Sequence, residues 1–234
     1  MATQRSNTLN IDVGGFNKAL ETMISQSKRS SKAVIEEQAK GVIRNVIRIT
    51  PPGRSTKESL GAAGKYGRLK IAADINKVLQ GVPVKQAEAS DMGTIKTTHR
   101  QARKQGQVTH EASRKVRVPK TMLNEYIRAQ KKKAGRLMAG WSAAAARFGV
   151  PVPAWVTAHS TPSAVKVTAS GSKFHMKASN RSPYANKIRM LERQVKHAVQ
   201  VQAGNMRKRI ASKIAQDARR AGFKSGQKAG AAVG

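Results

Sequence analysis

Five histidines and twelve carboxylates, with no cysteine, are the side chains of this chain best suited to acid–base or metal chemistry near neutral pH. His99, His110, His159, His175 and His197 form no close pair and no ligand cluster. Without cysteine there is no thiolate zinc site, no disulfide framework and no cysteine nucleophile. His110-Glu111 comes nearest to an acid–base pair, but no nucleophile or second carboxylate accompanies it. After residue 125 the only carboxylates are Glu192 and Asp217, too sparse for a hydrolytic pair from that half. Gly61-Ala-Ala-Gly64-Lys65 fails as a phosphate loop, which needs four residues between its glycines and Ser or Thr after the lysine. Asn180-Arg-Ser182 has the spacing of a glycosylation site, but Pro183 follows it and no secretory signal precedes it. No catalytic, cofactor-binding or metal residue is assigned, no cofactor is expected, and the chain reads as a non-enzyme.

What remains is charge. The 234 residues carry 45 Lys plus Arg against 12 Asp plus Glu, a formal +33. The excess is uneven: 23 basic and 10 acidic side chains lie in residues 1–125, and 22 and 2 in residues 126–234. Such a surface attracts polyanions, whether nucleic acid, acidic protein or anionic lipid. The candidates for that contact are Lys131, Lys132 and Lys133 in one run, and Arg189, Arg193, Lys196, Arg207, Lys208, Arg209, Lys213, Arg219 and Arg220 in another. A run of cations usually marks a solvated helix face, yet here the acidic partners for surface pairing are nearly missing. Aromatic residues are not interleaved with these charges, which argues against base stacking on single strands. Trp155, Pro183 and Tyr184 are candidate interface anchors. Trp141 reads as core.

The elements that hold these residues follow from periodicity. Leu9 to Val13 alternates like a short strand after a disordered or partner-bound arm. Apolar steps from Phe16 to Ile49 favour one long helix over two broken within the polar Ser25–Lys32, ending before Pro51-Pro52 because a residue preceding proline is pushed out of helical geometry. Residues 53–67, rich in Gly, Ser and Lys, read as a mobile loop, and 68–79 as a short helix. Residues 81–118 have no clear period and read as a loop-rich arm. A third helix is expected near 120–148, with Thr121 as N-cap and Gly149 closing it. Pro151 to Trp155 is a stiff extended connector. Val165–Thr168 and Lys173–Lys177 alternate around Ser170-Gly171-Ser172 and predict a β-hairpin. Asn180, Ser182 and Pro183 make a turn. From Ile188, apolar residues at Leu191, Val195, Val199, Met206, Ile210 and Ile214, with Gln202 the one polar intruder, predict a final helix to about 221. Arg219 and Arg220 stand in its last turn and Gly222 is its C-cap.

Two local motifs flank the hairpin: Gly135-Arg136-Leu137-Met138-Ala139-Gly140-Trp141 before it and Asn180-Arg-Ser-Pro-Tyr184-Ala185 after it. In that order they resemble the Gly-x-Leu-x-x-small-Trp and Asn-x-x-Pro-Tyr-Ala segments of the tail-completion or neck proteins of long-tailed bacteriophages, a minor tail protein type. The Ile49-Thr50-Pro51-Pro52-Gly53 helix end is similar too. The chain departs from that pattern in carrying Lys187-Ile188-Arg189 where a glutamate often stands, and in a long insertion between Pro52 and Gly135.

The expected fold is therefore α+β: long helices packed on a small antiparallel sheet or hairpin. It is organised as one elongated domain over 1–234, with a loop-rich insertion or arm at 53–118 and a flexible tail at 224–234. The resemblance implies a virion structural protein, a neck subunit joining the tail to the head connector as an oligomeric ring. Its partners would be neighbouring copies, the head connector, and tail tube or terminator proteins, with possible non-specific DNA contact and no membrane. It would sit at the head–tail junction of the virion and pass through the host cytoplasm during assembly. No apolar h-region follows Met1 and no stretch reaches the length of a bilayer span, so a soluble, intracellularly made protein is expected. The competing class is a cytoplasmic nucleic-acid-binding protein that compacts DNA or RNA, supported by charge alone.

Overall fold

The computed structural model describes residues 14–27, 30–106, 114–159, 161, 163–170, 173–180, 182 and 191–220. Its fold is α+β. In chain order the helices are α1 (Gly14–Ser25), α2 (Ser31–Ile49), α3 (Leu60–Asn76), α4 (Met92–Lys104), α5 (Lys120–Lys131), α6 (Arg136–Ala139), α7 (Ser142–Arg147), α8 (Ala154–Thr157) and α9 (Leu191–Arg220). The strands are β1 (Leu79–Val82), β2 (Val116–Pro119), β3 (Ser163–Ser170) and β4 (Lys173–Asn180).

The larger core lies where α1 and α2 pack on α9. Val34, Ile35, Ala39, Val42, Ile43 and Val46 recur at helical spacing along α2 and are all buried. Facing them on α9 are Leu191, Val195, Ala198, Val199, Ala203 and Met206. The seam expected on α9 fades beyond Met206: Ile210 is half-buried and Ile214 is 51% exposed. Leu137, Trp141, Ala144, Ala145 and Phe148 close the same core from α6 and α7. Trp141 is core, as its position predicts; its Nε1–H donates to Thr50 Oγ1 at 3.0 Å, and Thr50 Oγ1 donates to Val46 O at 2.7 Å. A buried indole N–H thereby finds the partner that it needs.

Helix α2 ends at Ile49, before Pro51-Pro52, as the proline pair requires. The single helix expected over 16–49 is, however, two. Ser30 caps the second, accepting a bond from Ala33 N–H at 3.4 Å, and Gln26 N–H closes the first onto Thr22 O at 3.2 Å. The break falls within the polar stretch from Ser25 to Lys32, where the Ser30 hydroxyl satisfies a helix end.

A second core forms where the insertion expected to be loop-rich meets α5. Ile75, Val78, Leu79, Ile95, Val118 and Leu123 cluster there around a parallel β1–β2 pair, in register from Leu79↔Val116 to Val82↔Pro119. The crossover between those strands carries a 3-10 turn (Val84–Gln86) and α4. Helix α3 begins eight residues before its expected start at Arg68 because Ser59 caps it, accepting from Ala62 N–H at 3.1 Å. Two of its three glycines, which read as loop, are close-packing positions. A Cβ on Gly64 would lie 2.8 Å from Trp155 Cε2, and one on Gly67 would lie 2.5 Å from Pro52 Cβ. In α4 the buried residues are Ile95, His99 and Ala102, spaced four and three apart; the polar member hid the period. Asp91 caps α4 through Thr94 N–H at 2.7 Å.

The third helix expected near 120–148 is broken into three. Helix α5 runs straight out of β2 without a side-chain cap, so Thr121 lies within the helix rather than at its cap. Gly135 then takes φ +94°, a left-handed conformation that glycine adopts freely. The break has a packing cause. Leu123 and Tyr126 face the second core, whereas Leu137 and Trp141 face the first, and one straight helix could not serve both. Gly149, at φ +59°, ends the α7 turn as expected. In the Pro151–Trp155 connector, only residues 151–153 are extended; Ala154 opens α8.

The hairpin forms as predicted and is longer than its alternating residues indicated, with β3 and β4 antiparallel from Ser163↔Asn180 to Ser170↔Lys173. Val165 and Ala178 pack against the larger core. Ser163 Oγ accepts from Ala143 N–H at 3.1 Å, tying the hairpin to α7. The 1–13 arm and strand, Ile188, the Gly222 cap and the 224–234 tail lie outside the described residues.

Candidate polyanion interface

The short helix α8 places Trp155 in contact with both α3 and the turn that follows α5. A Cβ on Gly135 would come within 2.5 Å of Trp155 Cζ3, so glycines at 64 and 135 make the slot that the indole occupies. His159, just beyond α8, holds the same turn: its Nε2 lies 2.7 Å from Ala134 O. A carbonyl can only accept, so Nε2 carries the proton.

Between α3, α5 and α8 lies a cleft of about 670 Å³. Arg68, Arg128, Lys131 and Lys132 line it with Trp155, and no carboxylate does. Arg128, Lys131 and Lys132 stand three and four residues apart, hence on one face of α5 and the turn that extends it. Arg68 approaches from α3, its Cζ 6.0 Å from the Trp155 ring centroid. None of the four cations has a carboxylate partner among the described residues. Four like charges around one concavity raise its positive potential above that of an open surface.

Of the residues singled out from sequence, Lys131, Lys132 and Trp155 come together here. Lys133 does not line the cleft; its Nζ donates to Gln130 Oε1 at 2.9 Å. Arg68 and Arg128 were missed. The i, i+3, i+4 spacing with Lys131 and Lys132 would have found Arg128, whereas nothing local points to Arg68.

The basic residues of α9 form a separate surface and divide by partner. Lys196 pairs with Glu192 at 3.1 Å and Arg209 with Glu37 at 2.6 Å. Lys213 Nζ donates to Gln26 O at the end of α1. Exposed pairs of this kind contribute only about 0–1 kcal/mol each. Arg193, Arg207, Lys208, Arg219 and Arg220 are exposed without an ion-pair partner among the described residues. Arg189, Pro183 and Tyr184 lie outside the described residues.

The two motif segments flanking the hairpin meet. Asn180 Nδ2 donates to Leu137 O at 2.8 Å, and its Oδ1 accepts from Ser182 N–H at 3.0 Å. Gly140 leaves the space that the Asn180 side chain fills; a Cβ there would overlap the amide.

Among the described residues, His99 is the histidine that packs with the second core. It is buried, with Nδ1 2.8 Å from Tyr126 Oη and no partner for Nε2 among the described residues. Burial pushes its pKa below the ordinary histidine value, and the Arg103 charge adds to that; Asp74 acts in the opposite direction. Burial likewise raises the Tyr126 phenol. Neither belongs to a group of three or more His, Asp or Glu able to hold a metal; among the described residues there is none. Nor is any described helix long and apolar enough to cross a membrane. No protein-family model, no curated protein and no solved structure matches the chain.

Proposed function

We propose that this protein is a virion structural subunit of a long-tailed bacteriophage, a tail-completion or neck protein that joins the tail to the head connector as one copy in a ring. The contact between two of the segments that carry the resemblance supports this reading. Asn180 binds Leu137 O across the space left by Gly140. A glycine just before Trp141 and an asparagine opening the turn after the hairpin are thus required by one another, and not by a reaction. Such residues fix the angle between hairpin and helices, which is what a subunit repeated in a ring must reproduce.

In this role the helical core and the hairpin form the subunit body. The exposed cations of α9 and of the cleft face acidic surfaces of adjoining rings or the DNA that passes between head and tail. The protein resides at the head–tail junction and is built into particles in the host cytoplasm. Gold-labelled antibody on purified particles tests the reading: label at the junction is expected, and particles without label refute it. The cleft favours a second reading, a dedicated nucleic-acid binder, which would instead be recovered on cellular DNA or RNA with steeply salt-dependent affinity.

A further inference from the structure

We infer that the cleft between α3, α5 and α8 is a nucleic-acid site that takes a phosphodiester together with its adjoining sugar and base from an unpaired strand. This rests on the reading of the basic faces as polyanion contacts and gives one of them a partner and an orientation. Arg68 and Arg128 bring guanidinium forks from two different helices, a geometry suited to the oxygens of a phosphate. Lys131 and Lys132 add point charges at the same mouth, and no carboxylate among the lining residues opposes them.

The walls decide between kinds of polyanion. Trp155, Ile127 and Ala158 line the cleft beside the cations, so aromatic and apolar surface shares it with charge. An acidic peptide offers charge without flat faces, whereas a nucleotide offers both, and aromatic surface beside cations is how unpaired strands are held. At about 670 Å³ the cleft is of the size that admits a nucleotide-sized ligand. A duplex, with its bases stacked inside, could present only phosphates at the rim. The sequence had argued against base stacking because no aromatic residue stands near the basic runs. Folding supplies one: Trp155, 24 and 23 residues beyond Lys131 and Lys132 in the chain, lines the same cleft.

The test uses the full chain and a fluorescein-labelled twelve-nucleotide oligothymidine, read by anisotropy over a range of salt. R68Q/R128Q is compared with K208Q/R219Q, which removes the same charge from α9. The cleft pair should weaken binding at least about tenfold and reduce the salt slope by about 0.7, the share of one phosphate on a single strand. The α9 pair should cost less than about threefold, as a general charge effect does. Tryptophan emission of the wild type should change on binding. If R68Q/R128Q fails to fold, K131Q/K132Q carries the same comparison. Equal weakening by the cleft and α9 pairs, or a wild type that does not hold the strand, overturns the site. Displacement by a duplex at equal nucleotide concentration overturns the unpaired-strand assignment, and displacement by polyglutamate at equal charge overturns the nucleic-acid assignment. Junction label on particles without a cleft effect sinks the site and leaves the neck reading; a cleft effect with unlabelled particles does the reverse.

Discussion

Gly41 on α2 and Gln202 on α9 occupy one space: a Cβ on the glycine would lie 2.5 Å from the side-chain amide. That amide is engaged on both sides. Gln202 Nε2 donates to Gln38 Oε1 at 2.7 Å, and Gln202 Oε1 accepts from Asn45 Nδ2 at 3.3 Å. All three amides are buried, so the ladder sets the register of α2 against α9 within an otherwise apolar seam.

Gly41→Ala should therefore destabilise the fold although alanine is the better helix former. Displacing the amide leaves buried polar groups unpaired, at about 1–3 kcal/mol, against a propensity gain of about 1 kcal/mol. Gly204, also within a helix, has nothing within 4 Å of its would-be Cβ. Gly204→Ala should stabilise by about 0.5–1 kcal/mol. Urea midpoints at unchanged slope would display the opposite signs; a shift in the same direction for both would refute the ladder's role.

Thr50→Val tests the other buried polar contact of the larger core. It keeps shape but removes the acceptor of the Trp141 N–H, and should cost about 1–3 kcal/mol. Ser in place of Thr50 retains the oxygen and should restore most of that loss in the same unfolding assay.

Gly135→Ala meets two obstacles at once, a φ of +94° and the Trp155 ring. Left-handed backbone costs a non-glycine residue about 1–2 kcal/mol, and overpacking adds about 1–3 kcal/mol. The variant should also shift tryptophan emission, since the indole must leave its slot. Unchanged emission would mean that Trp155 is not held there.

Stability should depend on pH through His99. Its folded pKa lies below its unfolded value, so the unfolded chain binds the proton more readily. The contribution is complete above the unfolded value near ~6.5 and is lost as pH falls from there through the folded pKa. In the charged ring both nitrogens are donors, and Nε2–H has no acceptor among the described residues. His99→Gln should flatten the fall in stability between neutral and mildly acid pH; an equally steep fall in the variant would place its origin elsewhere.

The parts of this fold that were legible in the sequence are those in which one face meets one core. The α2 face from Val34 to Val46, the hairpin and the α9 seam as far as Met206 obey a single period and were read directly. Reading failed where a residue type carried a meaning other than its commonest one. Gly64 and Gly67 signal loop, but they are the places where Trp155 and Pro52 press on a helix. His99 breaks the apolar period of α4, yet it is buried with Ile95 and Ala102. The stretch 120–148 keeps a helical pattern through Gly135 because both halves are amphipathic, while the core that they face changes between them. The cleft was half legible for a related reason. Its α5 cations share a local spacing, whereas Arg68 and Trp155 reach them only through tertiary packing.

The fading of the α9 seam after Met206 affects how any unfolding experiment on this protein will look. Residues 207–220 would span about 21 Å as helix. They are tied back chiefly by Arg209 to Glu37 and Lys213 to Gln26, both at the surface. A helical stretch this short and this exposed is marginal without packing. Ellipticity at 222 nm should begin to fall on heating before tryptophan emission does, because both tryptophans report from the body and neither from this strut. Transitions followed by the two probes will not coincide, and a single midpoint taken from ellipticity would understate the strength of the body.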